Sequence, residues 1–517
     1  MSWHALRVIA LNEMRLRMRR VSTLVVLLAA VGLCWLAIAD PADGVTMMVI
    51  DHKRVLYTSQ ALAFGSAHIA GMLVGLAGFY LLRGRTAQDL ESGMGAVIAA
   101  TGAGNGLLSA GRWLGGVAYL LLVVLAYLYS TLALHALRGE GPLQLLVYLQ
   151  TYALMLLPLV GYCAACAVLF DNLGPLVGKR GDVLFFILWC LQFGVLVGVM
   201  ENPGTIWPML FDFSGLSVAL TTLREHYATT NFTLGRNAFD KALAPIVMPE
   251  LMWGWRGLGL RGASMALSML VLLPAALFFH RYSPDRVRQR SARRNRLLAL
   301  ADRALRPVGW MLRPLPALAM RVPGFAGEVL AEVALVLAMA PAAALALTGI
   351  GMAALFSEGS ALAGVMMGGV ACWGVLVCGI APRDWQNGAD AMTAVLPGGA
   401  LRRFLRQWAA SLVLAAPLGV VALRWAALEP ARALAAVAGV AALASVAALL
   451  GGVTRGARLF LALFLFTWYV AINSPKMAAL DLVGFNGAAT VASAAAWGLA
   501  GVLAWLAALA ASRRQGG

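Results

Sequence analysis

The sequence predicts an all-α polytopic membrane protein of about twelve transmembrane helices, arranged as two parallel six-helix repeats with both termini in the cytoplasm. Three observations predict it. Of 517 residues, 61% are hydrophobic and only 12% charged, whereas a soluble domain carries about 25%. Apolar runs of about 20 residues, the length that crosses a hydrocarbon core, recur along the chain. The basic residues collect in alternate loops, as membrane topology demands.

The first half covers 1–281. Within residues 1–20, Trp3, Leu6, Ala10, Met14 and Met18 recur at helical spacing with Asn12, Arg15 and Arg19 opposite. Such a helix lies in the cytoplasmic interface. Arg7, Arg15, Arg17, Arg19 and Arg20 are followed by no small-residue cleavage site, so the next run reads as an uncleaved first span. Spans follow near 21–39, 60–82, 113–137, 144–170, 182–200 and 263–281. The outer loop 201–262 is long. Its stretch Met209–Leu223 is apolar but contains Asp212 and is too short to span, so it reads as a re-entrant or interfacial helix before a small outer cap. Trp207, Phe211, Phe213, Trp253 and Trp255 mark this loop either as an anchor at the headgroup level or as a substrate path and outer gate.

Residues 282–328 form a basic cytoplasmic linker holding ten Arg and five Pro. Leu297, Leu298, Ala301 and Leu305 suit a short helix on the membrane surface; a solvated tether suits the composition as well. The second half, 329–517, has spans near 329–350, 361–381, 408–428, 433–453, 456–472 and 488–511.

With the N-terminus inside, the cytoplasmic segments hold 29 basic and 10 acidic residues and the outer segments 11 and 12. A net charge of +17 would suggest nucleic acid in a soluble protein. Here it is topology: the partner is anionic lipid, and no nucleic acid is expected. Only four of the 40 basic residues are Lys, and Ala and Gly abound. That composition suits a GC-rich bacterium, hence a multi-pass protein of a bacterial inner membrane.

The halves look related. Shifting by 295 residues lays Asp89 on Asp384, Gly93 on Gly388, Ala96 on Ala391, Ala99 on Ala394, Gly104 on Gly399 and Trp113 on Trp408. In each half this stretch is the loop between the second and third spans, so the repeat is parallel.

No motif points to catalysis. There is no Walker A loop, zinc-protease H-E-x-x-H or G-x-S-x-G elbow, so no nucleotide site, metal site or catalytic residue is expected in this chain. Cys163 and Cys166 form a C-x-x-C on a helix, readable as redox or metal ligands but better as packing residues. His68 and His135 read as hydrogen-bonded structural residues. Intramembrane charge is sparse: Glu332 and Arg424 sit near the ends of spans. Ion coupling therefore has little visible machinery, and energy for uphill transport has to come from outside the chain.

Two features suggest where it enters: the N-terminal helix with Glu13, and the loops around Asp89 and Asp384. The first loop carries Arg83, Arg85, Asp89, Glu91 and Gly93. The second carries Arg383, Asp384, Gly388, Asp390 and Leu396-Pro397-Gly398. With six spans per half, this resembles the permease of type-2 ABC exporters, in the fused twelve-span form of antibiotic and polyketide exporters. The resemblance implies an interfacial connecting helix and a coupling helix, both docking on a separate ATPase present in two copies, which holds the ATP and magnesium. It implies coupling residues Glu13, Arg83, Arg85, Asp89, Glu91, Gly93, Glu328, Arg383, Asp384, Gly388, Asp390 and Pro397, within segments 1–18, 83–112, 316–328 and 382–407. It also implies outward movement of a hydrophobic or amphipathic substrate by alternating access. Thr101-Gly102 replaces the Leu-Pro of the family pattern in the first half. The alternative is an ion-coupled transporter of the major facilitator type, although Arg83-Gly84-Arg85-Thr86-Ala87-Gln88-Asp89 departs from that family's loop. A membrane-embedded transferase would need an acidic or His cluster; Asp212, Glu225, His226, Asp240 and Glu250 show no such spacing.

Overall fold

The computed structural model describes residues 3–201, 205–229, 231–249, 253–279, 310, 312–395 and 398–515. The chain forms two compact units, Met1–Ala292 and Arg293–Gly517. Most of the linker, 282–309, lies outside the described residues, as do Pro397 and Glu250.

In the first unit, α1 (Trp3–Met18) turns by 75° into α2 (Val21–Ala37). α3 (Ser59–Leu82) follows, then the short α4 (Arg85–Glu91) and α5 (Met94–Ala100). α6 (Asn105–Arg138), α7 (Leu145–Asn172) and α8 (Lys179–Glu201) come next. α9 (Trp207–Phe211) and α10 (Leu216–Tyr227) precede α11 (Trp255–Leu270) and α12 (Leu272–Leu277). α3 is the core element, buried along nearly its whole length. Its glycines let neighbours approach: a Cβ on Gly71 or Gly75 would sit 3.0–3.3 Å from Leu156 of α7 or Trp189 of α8. Small residues at helix contacts are the usual solution where lipid removes the hydrophobic drive.

The second unit contains α13 (Pro314–Arg321), α14 (Gly324–Met339), α15 (Pro341–Phe356) and α16 (Gly359–Val377). Short α17 (Arg383–Gln386) and α18 (Asp390–Ala394) lead to α19 (Gly399–Val413) and α20 (Ala416–Ala426). α21 (Pro430–Thr454), α22 (Arg458–Asn473) and α23 (Val491–Gln515) complete it.

Among the described residues, seven helices are long and apolar enough to cross a membrane, and ten if each of three sharply bent pairs counts as one span. The chain is thus a largely helical, multi-pass type of protein. The expected twelve spans exceed that number by two: α8, at the fifth, is not among them, and α22, at the eleventh, is apolar but has only 16 residues.

Two expectations need correction. The run 329–350 is not one continuous helix. It straddles a 108° break between α14 and α15, where Ala340 leaves the helical conformation and Pro341 opens the next helix. Proline has no N–H to continue the ladder and is suited to a first helical position. The expected boundary at 328/329 therefore falls inside α14. Nor is the chain purely α. Val45–Ile50 (β1), Lys53–Arg54 (β2) and Phe232–Ala238 (β3) form an antiparallel sheet in the order β2-β1-β3. Asp51 and His52, both at positive φ, make the two-residue hairpin between β1 and β2. The sheet ties the loop after α2 to the loop after α10.

α21 and α23 pack through small residues: a Cβ on Gly501 would meet the Ala442 Cα at 2.7 Å. A Cβ on Gly439 would lie 2.0 Å from the Leu482 carbonyl oxygen. The Leu482 loop cannot readily yield, because the buried Asp481 carboxylate accepts the amides of Asn486, Ala488 and Ala489 at 3.0–3.1 Å. Gly439→Ala is expected to destabilise the second unit by about 1–3 kcal/mol, the usual cost of overpacking. A lowered thermal midpoint in detergent is the readout.

Candidate functional site

In the first unit α1 lies against α6 by its Leu6, Ala10, Glu13 and Arg17 face. Contact is close: a Cβ on Gly115 would sit 2.6 Å from the Ala10 carbonyl oxygen. Of the expected apolar stripe, Leu6 and Ala10 are buried, whereas Trp3 and Met18 are exposed. Asn12, Arg15 and Arg19 face outward as expected. The buried face carries an i,i+4 ion pair between Glu13 and Arg17 that the stripe did not reveal.

That pair starts a chain of charges across three elements. Arg85 of α4 donates from Nε to Glu13 Oε1 at 2.6 Å and pairs through Nη2 with Asp89 Oδ1 at 2.8 Å. Arg112 of α6 reaches Asp89 Oδ2 at 2.6 Å and Thr86 Oγ1 at 3.1 Å. Arg17 also donates to the Leu82 carbonyl at the end of α3. Arg17–Glu13–Arg85–Asp89–Arg112 is therefore a continuous alternation joining α1, α4 and α6. Alternation is the arrangement in which buried charges compensate one another. Glu13 shows the balance: burial raises its carboxyl, but Arg17 and Arg85 outweigh burial and hold it below its ordinary value of 4.5.

A depressed carboxylate stabilises the fold above its ordinary value, and that contribution is lost as pH falls through the lowered one. α1 should stay docked down to pH 4.5 and detach only below it. Amide exchange of residues 3–18 against pH reads this, and Glu13→Gln should abolish the acid step.

The second unit repeats the plan with different residues. Glu332 of α14 takes Arg383 of α17 at 2.5 Å and Arg406 of α19 at 3.3 Å. Asp384 lies 3.4 Å from Arg383, 4.0 Å from Arg406 and 3.4 Å from Gln407 Nε2. Glu328 pairs with Arg402 at 2.7 Å. Gln407 falls on Arg112 in the 295-residue shift, so the matched position donates to the matched aspartate in both units. The next residue also matches: Trp113 donates to the Gly161 carbonyl of α7 at 3.0 Å, and Trp408 to Ser445 Oγ of α21 at 3.1 Å. α14 thus stands to this cluster as α1 stands to the first, each a helix bent away from the next.

Arg83 serves elsewhere. It is fully buried and binds Asp171 at the end of α7 at 2.5 Å and Asp182 at the start of α8 at 3.1 Å. The Asp171 carboxylate also accepts the amides of Gly84 and Arg85 at 2.9 Å, capping α4. Gly84 adopts φ +87 there, which favours glycine. Glu91 is exposed, and Gly93 and Gly388 sit at positive φ in turns with open space around them. Asp390 opens α18, and its carbonyl accepts Arg403 at 3.2 Å. Beside these clusters the short helices expose apolar side chains: Leu90, Met94 and Val97 in one unit, Trp385, Met392 and Val395 in the other.

The five aromatic residues of the outer loop do not form one site. Trp207, Phe211 and Trp255 are exposed, while Phe213 and Trp253 are buried. Phe213 stacks on Tyr162 at 4.1 Å and Trp253 donates to Thr151 at 3.4 Å. The run expected as one helix is the broken pair α9 and α10. Asp212 caps α10 through the Ser217 amide, at 2.7 Å. Arg261 of α11 holds the turn by the carbonyls of Asp212 and Phe213 at 2.5 and 2.6 Å. His135 is hydrogen bonded to Tyr148 Oη and the Gly141 carbonyl, and Cys163 donates to the Gly75 carbonyl.

Sequence reasoning placed Glu13, Arg85, Asp89, Arg383 and Asp384 in regions that the fold brings together. It missed Arg17, Arg406, Asp171 and Asp182 as partners. Comparison with protein-family models, curated proteins and solved structures finds no match for this chain.

Proposed function

We propose that this chain is the fused permease of an ATP-driven exporter, with two six-span repeats, both termini cytoplasmic and the ATPase on a separate subunit. One observation carries the reading. Each unit ties three segments together with buried charges: the helix before its first span, the loop between its second and third spans, and the start of the third span. A node of that kind transmits force from a loop to the membrane helices, because moving any one segment breaks charge pairs that the interior cannot leave open. The exposed Leu90, Met94 and Val97, with Trp385, Met392 and Val395, supply apolar contact for a partner on that loop.

α14 takes the place that 316–328 was expected to hold, as the second connecting helix. Its Glu332, not Glu328, corresponds to Glu13, since Glu332 is buried and shared by two arginines, whereas the Glu328–Arg402 pair is partly exposed. Two ATPase copies would then meet two similar loops. The substrate is amphipathic or hydrophobic, and export is the direction that the resemblance implies. In the membrane, Trp207, Phe211 and Trp255 act as headgroup-level anchors.

The chain purified from its native bacterium in a mild detergent should carry an ATP-hydrolysing subunit at two per chain. Recovery of the folded chain with no ATPase activity above background rejects the reading.

A further inference from the structure

We propose that the two units do not move alike: the loop of the first is a fixed strut, while the loop of the second, together with α14 and α19, swings as a block about hinges at Ala340 and Leu414–Ala415. This rests on reading the loops as transmission elements. Three observations carry it.

The first is the clamp at Arg83. It binds the first loop to the ends of α7 and α8, through Asp171, Asp182 and the Leu176 carbonyl at 2.8 Å. Asp171 holds two loop amides as well, and Thr86 contacts Asn172 at 3.4 Å. Among the described residues the second unit shows no ion-pair clamp of this kind. Cys378 stands at the position matching Arg83, and residues 453–473, from the end of α21 through α22, contain no Asp or Glu at all. The Arg455 guanidinium stacked 5.0 Å over Trp385 takes the clamp's place, and the cluster at Asp384 is longer in its contacts than that at Asp89.

The second observation is helix continuity. α6 runs unbroken from the first loop through 34 residues, about 50 Å at 1.5 Å per residue. The corresponding segment of the second unit breaks by 56° between α19 and α20, at Leu414–Ala415, with Pro417 at the start of the second piece. A push on the first loop is therefore delivered along a rigid rod, and a push on the second meets a joint.

The third is the company that the second loop keeps. Its charge contacts run to Glu332 of α14 and Arg406 of α19, and Arg403 of α19 holds Thr393 at 3.0 Å. Both helices are the outlying members of bent pairs, α14 by 108° and α19 by 56°. Loop, α14 and α19 are thus tied to one another by charge contacts, whereas α19 meets the neighbouring spans through the Trp408–Ser445 and Trp373–Ser411 hydrogen bonds and the Trp505 ring, which the swing has to slide or break.

Hydrogen–deuterium exchange of the full chain in lipid nanodiscs, without nucleotide, tests this. Several charge-assisted hydrogen bonds hold the first loop that have no counterpart among the described residues of the second. Protection factors in 84–92 should exceed those in 384–394 by about tenfold or more; equal or reversed protection overturns the proposal. Asp171→Asn, which leaves Asp182 to pair with Arg83, should bring 84–92 to within about threefold of 384–394 and leave the latter unchanged. No change in 84–92 would also overturn it. A chain showing the tenfold difference but carrying no ATPase keeps the asymmetry and loses the transport reading; the opposite pair of results does the reverse.

Discussion

Replacing Arg83 by Met should destabilise the first unit by about 3–5 kcal/mol, the largest stability loss expected from any single substitution in this chain. Arg83 is 1% exposed, and its guanidinium is the shared counterion of Asp171 and Asp182. Met fills much of the same volume and keeps contact with Phe79 and Phe170, over whose rings the guanidinium lies at 5.3 and 5.8 Å. What it cannot do is neutralise two carboxylates away from water. One must take up a proton, or the ends of α3, α7 and α8 must part to admit solvent. The α4 cap goes with them, because Asp171 also holds the Gly84 and Arg85 amides. Thermal unfolding of the purified variant should show the loss, and the triple variant Arg83→Met, Asp171→Asn, Asp182→Asn should recover part of it. A single variant as stable as the parent would mean that the clamp does not hold those ends together.

The second large effect is on transport. Glu13→Gln and Glu332→Gln keep side-chain size and one acceptor but remove the negative charge at the centre of each node. Each leaves two arginines facing one another without the anion between them: Arg17 with Arg85, and Arg383 with Arg406. Losing a charge-assisted contact of this kind costs about 1.5–3 kcal/mol. We expect each variant to fold and to retain ATP hydrolysis in the partner, with transport reduced roughly tenfold or more. The pair of assays distinguishes broken transmission from broken assembly. Full transport in both folded variants would show that the nodes are scaffolding only.

Much of this arrangement is legible in the chain. Apolar runs place most membrane helices to within a few residues, because run length is itself the physical requirement. The 295-residue correspondence finds Asp89 and Asp384 together with both tryptophans, and those residues have matching hydrogen-bond roles. The unread parts have physical causes too. Glu13 meets Arg85 across 72 positions, and Arg83 meets Asp182 across 99, so no local spacing announces either pair. The break at Pro341 hides inside an apolar run, where hydropathy is the same on both sides of the bend. The signal for it was the proline itself, together with Glu332 one helix earlier, a charge that sits uneasily in a span and comfortably in a connecting helix. β1 is six residues of Val, Thr, Met and Ile, a strand composition that passes for loop between two much longer helices. Its partner β3 lies about 180 residues away.

The division of labour between units bears on how such a chain would work. On the proposed reading, two partner subunits would engage similar sockets. Among the described residues, the Arg83 clamp, the unbroken 34-residue helix α6 and the three-stranded sheet all belong to the first unit. If the chain is the fused permease proposed, it is free, unlike a pair of identical subunits, to divide anchoring and movement between its halves.

The most direct test of the central claim is uptake of a fluorescent amphipathic dye into inside-out membrane vesicles containing the chain and its partner. The account predicts uptake that requires ATP, persists when a protonophore collapses the proton gradient, and falls sharply in Glu332→Gln. Uptake that continues without ATP and stops with the protonophore would contradict it.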